Sequence, residues 1–350
     1  MPRIFALSNT LDTGIEPSFL IADDFNRNDV LDLVVANSGG HSFSFYKGNG
    51  DGSFNDQLVY KTGRGPICLV AGDFNKDGYK DVSVLNYEDQ TIQVFLNTRL
   101  GSFQRTNQLV KPGKIPINMI SGDFNNDEIK DLAVTLRFNK LIILLGVGDG
   151  KFKVAEAYQA APTPAHMTVS DYNGDGNQDI AMVLNAVKVR FLKMFYGNGD
   201  GTFAPPKLIK GGSQSSFLMH HDMNLDGHLD LLTSSPMKDS LSIFMGNGKG
   251  DFTKMQDFAG EKGPHNIVVG DFTGDKVPDI VVCNRRGGSI SIIPGNGDGT
   301  FVYPHYNYVV GSQPRSIAGA DFNRDGMMDI AVVLYQKKIL EVFLRKASVL

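Results

Sequence analysis

Aspartate and asparagine recur along this chain at a spacing that can hold a hard cation. From Asp73 to Asp81 the sequence reads Asp-Phe-Asn-Lys-Asp-Gly-Tyr-Lys-Asp, with side-chain oxygens at its first, third, fifth and ninth residues and glycine at the sixth. Hard oxygens alternating along a tight loop suit Ca²⁺, which takes about six to eight oxygen ligands. The pattern returns at Asp24, Asp123, Asp171, Asp222, Asp271 and Asp321. An Asx-turn, in which the carboxylates cap backbone amides without metal, uses the same residue types. Recurrence favours the metal, because so many unneutralised carboxylates would repel one another. Either way the loop is a staple. Catalysis by the metal is not expected, since protein oxygens fill its positions and no partner base stands beside it.

Four loops are complete: Asp73/Asn75/Asp77/Asp81, Asp171/Asn173/Asp175/Asp179, Asp222/Asn224/Asp226/Asp230 and Asp321/Asn323/Asp325/Asp329. Their sixth residues are Gly78, Gly176, Gly227 and Gly326, where a sharp turn favours positive φ. Their seventh residues, Tyr79, Asn177, His228 and Met327, are expected to offer carbonyl oxygens. The last ligand stands at position nine and a strand follows. An EF-hand loop instead ends at a twelfth-position Glu before a helix.

Three loops depart from the pattern. The first, Asp24/Asn26/Asn28/Asp32, has Asp29 in place of glycine, a residue that tolerates the left-handed region better than most. The third keeps Asp123/Asn125/Asp127/Asp131 but carries Glu128 at the glycine position. The sixth has Thr273, Lys276 and Pro278 at its third, sixth and eighth positions and ranks lowest as a Ca²⁺ site. The expectation is four to six bound Ca²⁺.

The elements that must position these loops repeat with them. Successive loops start 49, 50, 48, 51, 49 and 50 residues apart, and a period of this size marks a repeat architecture. In each unit an apolar strand enters the acidic loop and a second leaves it, as in Ile67 to Ala71 and Val82 to Leu85. A third strand such as Ile92 to Leu96 follows, and then a glycine-rich turn such as Gly48-Asn-Gly-Asp-Gly52. Asn-Gly and Asp-Gly supply the positive φ of tight hairpins. A phenylalanine (Phe54, Phe103, Phe152, Phe203, Phe252, Phe301) opens a more polar fourth strand, and a proline (Pro66, Pro116, Pro164, Pro264, Pro314) usually starts the next unit.

Four short strands in roughly fifty residues describe a propeller blade. The chain is read as all-β, a seven-bladed propeller forming one domain over residues 1–350. The last unit supplies only three strands. Ile4 to Leu7, with Phe5 in the phenylalanine position, is expected to pair into that last blade and close the ring.

Composition narrows the function classes. No run of eighteen apolar residues exists, so no membrane span is expected. Residues 1–8 lack the apolar stretch of a leader, which leaves a cytosolic protein or a leader outside this chain. Cys68 and Cys283 lie in apolar strands far apart and are expected as buried free thiols. Tryptophan is absent, which argues against sites built on indole stacking; Tyr87 and Tyr335 remain as platforms for a sugar. His220-His221 is the only paired histidine, and it reads as a spacer before Asp222. No Ser/His/Asp or Cys/His grouping and no phosphate-cradling glycine loop is suggested by spacing.

The net charge of −4 conceals a segregation. The seven loops hold 22 of 38 acidic residues but only 6 of 34 Lys and Arg. The turns on the opposite face, with the connections between blades, carry 16 basic residues against 6 acidic ones. Those basic residues include Arg137, Lys188, Arg190, Arg285, Arg286 and Arg315. Polar residues just after the inter-blade prolines, Asn118, His166, Ser216, His265 and Arg315, are expected to ring the channel mouth there. Large shared sites with a few convergent polar groups are where small ligands bind.

Repeats of the form Asp-Phe-Asn-x-Asp-Gly-x-x-Asp-Leu, followed by Gly-Asn-Gly-Asp-Gly-Thr-Phe, resemble the FG-GAP and VCBS-type repeats. The resemblance covers all seven units. It implies the seven-bladed propeller of integrin α-chains and of many secreted or surface proteins, Ca²⁺ in the hairpin between first and second strands, and ligand binding on the opposite face. It also implies an extracellular or cell-surface location. The expected function is that of a binding or adhesion module recognising an acidic glycan or protein partner on its basic face, as a monomer without nucleic acid. A glycan-active enzyme such as a lyase at the channel mouth, or a structural domain of a longer surface protein, are the alternatives.

Overall fold

The computed structural model of the protein describes residues 4–346, apart from residues 100, 187–190, 213, 256, 303–304 and 312. Two of the basic-face residues, Lys188 and Arg190, thus lie outside the described residues. No helix occurs among those described, and seven antiparallel sheets account for the strands. Blade 2 is the pattern: Pro66–Gly72, Asp81–Asn86, Thr91–Asn97 and Phe103–Val110 pair in sequence order. The first strand of each blade touches the first strands of both neighbouring blades, and the cycle closes from blade 7 back to blade 1. This is a seven-bladed β-propeller.

Ring closure follows the expectation. Phe5–Asp12 lies antiparallel to Ile339–Arg345 as the fourth strand of blade 7, with Phe5 opposite Arg345 and Asp12 opposite Ile339. The phenylalanine after each glycine turn behaves less uniformly. Phe103, Phe152 and Phe252 open outer strands, whereas Phe54, Phe203 and Phe301 form isolated bridges to the glycine before the turn, and the strand starts later.

Packing explains why a phenylalanine is kept there. Each blade interface holds one hydrophobic cluster, seven among the described residues. In six of them the second residue of an acidic loop meets the turn phenylalanine of the next blade, or Phe5 at the closure. The pairs are Phe25–Phe103, Phe74–Phe152 and Phe124–Phe203 at 5.5 Å, Tyr172–Phe252 at 5.9 Å, Phe322–Phe54 at 5.8 Å and Phe272–Phe5 at 6.4 Å between ring centres. Edge-to-face aromatic pairs contribute about 0.5–1.5 kcal/mol beyond area burial. Second strands are buried along their whole length, as sheets packed on both faces require. Cys68 and Cys283 are buried free thiols.

Two backbone devices aim side chains at the face away from the acidic loops. The first is a ladder irregularity directly after the proline in blades 1, 2, 3, 4, 6 and 7. Bulges of this kind re-aim a side chain. The second is a left-handed residue before each of those prolines: Glu16, Gly65, Ile115, Thr163, Gly263 and Gln313. Its carbonyl accepts the amide of the residue after the second strand, including Arg137, Asn185, Arg285 and Tyr335. Both devices converge on the channel mouth.

Candidate functional site

The acidic loops share one hydrogen-bond plan. The first Asp accepts from the amides of the fifth and sixth residues; Asp73 does so from Asp77 at 3.1 Å and Gly78 at 2.8 Å. Asp24 does the same from Asn28 at 3.3 Å and Asp29 at 2.9 Å. The fifth residue accepts from the seventh amide, as Asp77 does from Tyr79 at 3.0 Å. The sixth residue takes positive φ in all seven loops, Asp29, Glu128 and Lys276 included. So does the fourth (Arg27, Lys76, Asn126, Gly174, Leu225, Gly274, Arg324), a requirement not evident from residue type. Substitution of the glycine therefore leaves the loop geometry intact.

The ninth Asp has a second role that the loop motif does not announce. Asp81 is wholly buried; it accepts from the Phe74 amide at 2.9 Å and, sixteen residues on, from the Asn97 amide at 2.8 Å. Asp32, Asp131, Asp179, Asp230, Asp279 and Asp329 are equally buried and bond the corresponding amides at or just after the ends of their third strands. The carboxylate ties the acidic loop to the adjacent end of the third strand. The near-constant spacing from ninth Asp to glycine turn was the signal available in the sequence. Burial pushes the Asp81 carboxyl up to about 7, with Asp77 and Asp73 adding to it, against the two amide bonds that pull it down. Asp32, Asp131, Asp179, Asp230 and Asp329 are pushed up to about 6, again chiefly by burial.

Convergence of carboxylates differs among the loops. Among the described residues, three carboxylates approach one another only in the sixth loop, where Asp271, Asp275 and Asp279 each place an oxygen within 4.8 Å of the others. A cation at about 2.3–2.6 Å from each oxygen fits that spread. Thr273 is the physical reason. In loops three, four, five and seven the third-position Asn donates to the fifth-position Asp at 2.9 Å (Asn125–Asp127, Asn173–Asp175, Asn224–Asp226, Asn323–Asp325). Thr273 lacks that amide, and its own backbone N–H takes the Asp279 oxygen at 2.7 Å that elsewhere goes to the second residue. In the first loop Asn26 donates to Asp32 at 3.1 Å, and in the second Arg99 reaches Asp77 at 3.5 Å. The seventh residues Tyr79, Asn177, His228 and Met327 stand in the loops with their amides engaged.

Six asparagines expected as cation ligands also accept a backbone amide two residues on; Asn125, Asn173, Asn224 and Asn323 do so from the fifth residue of their loops at 3.3, 3.0, 3.2 and 3.2 Å. The side-chain oxygen of Asn28 accepts the Val30 amide at 3.0 Å, and that of Asn75 accepts the Asp77 amide at 3.2 Å. Each closes an Asx-turn, because the amide two residues on is the donor nearest to an asparagine side chain. Each oxygen keeps one lone pair beyond its turn bond, so any cation there shares it with the backbone.

On the opposite face two adjoining cavities, about 480 Å³ and about 870 Å³, share Asn185, Ser216 and His265. The residue after each proline, one per blade, lines the smaller: Ser18, Ile67, Ile117, Ala165, His265 and Arg315, with Ser216 supplying blade 5. The ring is lopsided. Blades 2 to 4 present an apolar arc and blades 5 to 7 a polar one. Of the sequence candidates, Asn118, Arg137 and His166 join the smaller cavity, and Arg285 and Arg286 the larger.

Several of these candidates are already engaged. The Asn118 side chain accepts the Met167 amide at 3.1 Å and holds blade 3 to blade 4. Arg286 is bonded to Asp239 at 2.6 Å and to the Pro236 carbonyl at 2.6 Å. Tyr335 carries the Arg315 guanidinium 4.2 Å above its ring, so it is not a free sugar platform. His166 stacks on Phe217 with ring centres 4.0 Å apart. Burial, reinforced by His265, pushes the His166 imidazole down to about 3. Burial, with Arg285 and Arg315 beside it, pushes His265 down to about 4. Both rings are neutral at pH 7. His220, the other candidate, bonds Thr168 at 2.6 Å and Tyr172 at 3.0 Å across a blade interface.

The family model of the FG-GAP-like repeat matches residues 24–84, 73–134, 123–182, 222–282 and 271–332. Each match begins on the first Asp of a loop and runs into the strand beyond the next. The chain belongs to the FG-GAP-like repeat family. No curated protein sequence matches this FG-GAP propeller. Its fold is similar to that of BBS1N, solved in complex with ARL6DN, at 11% identity over 99% of each chain with a TM-score of 0.71. It is also similar to Kuenenia stuttgartiensis hydrazine synthase, at 13% identity over 95% of this chain and 96% of that one, TM-score 0.66. A third is an Agrocybe aegerita lectin that recognises non-reducing terminal N-acetylglucosamine, at 17% identity over 85% and 81%, TM-score 0.57. At these identities the likeness is one of fold. An FG-GAP propeller suits a binding module, and no helix among the described residues is long and apolar enough to cross a membrane.

Proposed function

We propose that residues 1–350 act as one calcium-stabilised binding domain, at the cell surface or outside it, that recognises an acidic glycan or protein partner on the face opposite the acidic loops. The observation that carries this reading is the pair Arg285 and Arg315 at a concave channel mouth. Among the described residues neither has a carboxylate within ion-pair distance, although Arg64 and Arg286 on the same face are paired with Asp89 and Asp239. Like charges left adjacent favour an anion that bridges them. The reading is of a binder, not a catalyst. The protein should be retained on a heparin column at low salt and elute steeply as salt rises, since exposed charges are screened within about 10 Å at 0.1 M. Unretained protein at low salt overturns the reading.

The carboxylates of the acidic loops support Ca²⁺ on grounds of their own. An all-oxygen donor set suits a hard cation, which would relieve the carboxylate repulsion that adds to burial in raising the ninth Asp. The sixth loop, Asp271/Asp275/Asp279, has the best-converged set. Bound Ca²⁺ would there neutralise charge and fix the loop. Chelation should lower the melting temperature and added Ca²⁺ raise it by mass action. Asp275→Ala should remove part of that response. Equal melting in chelator and in millimolar Ca²⁺ returns the loops to plain Asx-turns.

A further inference from the structure

We propose that the channel mouth binds a single sugar acid of the hexuronate class, its carboxylate held between Arg285 and Arg315 and its hydroxyls by the amides around them. The inference rests on the reading of this face as the binding surface and names the group that enters its centre.

Charge selects a monoanion. Arg315 lies over Tyr335 and feels Arg285 as a neighbouring like charge and Glu16 as a nearby opposite one. His166 and His265 are neutral. Around the Arg285 and Arg315 pair, two guanidiniums and one carboxylate leave about one positive charge, which a carboxylate balances; Arg137 of blade 3 lines the smaller cavity as a further cation. Guanidinium forks match carboxylate geometry with paired N–H donors.

Unmet hydrogen bonds gather at the same place. Buried polar atoms without a partner include the Arg315 Nε, the His265 Nδ1, the His166 Nδ1 and the Ser216 Oγ, all on residues of this mouth. Buried polar groups are nearly always satisfied, so a cluster of exceptions points to a missing polar neighbour. Beyond the arginines, the lining of the larger cavity includes Asn185, Gln214, Gln313 and Gln336, residues whose side-chain amides can both donate and accept. That suits hydroxyls, which do both as well. The apolar arc of Ile67, Ile117 and Ala165 lines the adjoining smaller cavity and can cover the C–H face of a pyranose. A cavity of about 870 Å³ has room for a monosaccharide and its glycosidic neighbour.

Calorimetric titration of the full chain with sodium D-galacturonate, in millimolar Ca²⁺, tests the assignment. Binding is expected, with neutral galactose weaker by about tenfold or more (about 1.4 kcal/mol or more), because it lacks the charge-assisted hydrogen bonds. Arg285→Gln should weaken galacturonate by a similar factor while leaving the melting temperature near that of the parent. Arg315→Lys, which keeps the charge but loses the fork, should weaken it as well. No heat with galacturonate, or equal affinity for galactose, overturns the proposal. So does equal affinity for N-acetylglutamate, which would mark a site for acidic peptide side chains, or full displacement by equimolar sulfate, which would mark a bare oxyanion site. If galacturonate fails while the protein is still retained on heparin, the pocket assignment falls and the basic binding face stands; if both fail, both fall.

Discussion

Deletion of residues 1–9 should open the ring and lower its stability sharply. Phe5 is buried against Phe272 and Tyr308, 6.4 Å and 6.3 Å between ring centres. The Tyr308 hydroxyl accepts the Ile4 and Phe5 amides at 2.9 Å and 3.2 Å, and the Asn9 side chain donates to the Gly52 carbonyl of blade 1 at 2.7 Å. Loss of a buried phenylalanine alone costs about 3–5 kcal/mol. That is a large share of the roughly 5–15 kcal/mol that holds a domain. The deletion also bares the edge of Ile339–Arg345, an invitation to pair with another chain. A truncated protein should melt well below the parent and associate in size-exclusion chromatography. Phe5→Ala should give an intermediate melt. Coincident melting of truncated and parent proteins refutes closure by this strand.

Asp81→Ala should be the costliest change in an acidic loop, and most of its cost should persist in chelator. It strands the buried amides of Phe74 and Asn97, each costing about 1–3 kcal/mol without an acceptor. A loss of about 3 kcal/mol or more is expected. Asp73→Ala removes bonds to amides at a partly exposed loop, and a cap-type loss of about 1 kcal/mol is expected there. Urea unfolding of both variants with and without Ca²⁺ separates the roles. Two equal losses that both vanish in chelator would show that Asp81 acts only through the metal.

Much of this molecule is legible in one dimension because its instructions are local. The loop Asp73 to Asp81, the glycine turns and the prolines each act within a few residues, and a period near fifty repeats them. Repetition turns weak local preference into a fold. The missing fourth strand of the last unit and the spare first strand are likewise visible as a deficit and a surplus. Burial of Cys68 and Cys283 followed from their apolar neighbours.

What escaped the sequence depends on atoms brought together from distant positions. The sixth loop looked the most eroded, yet its carboxylates converge, because Thr273 lacks the amide that elsewhere holds the fifth-position Asp. The asparagines with the right type and spacing for a cation, Asn28 and Asn75 among them, also accept nearby backbone amides. The turn phenylalanines read as strand openers, but they pack across blade interfaces about fifty or more residues away. Asn118 and Arg286 had the right type and place for a ligand site, and their bonds to Met167 and Asp239 already occupy them. Residue order alone determined the repeat, the seven blades, the closing strand and the separation of acid from base, since each follows from short-range spacing. Tertiary structure alone decided which loop gathers its charges and which arginines at the channel mouth form no ion pair, because both depend on the partner each side chain finds across space.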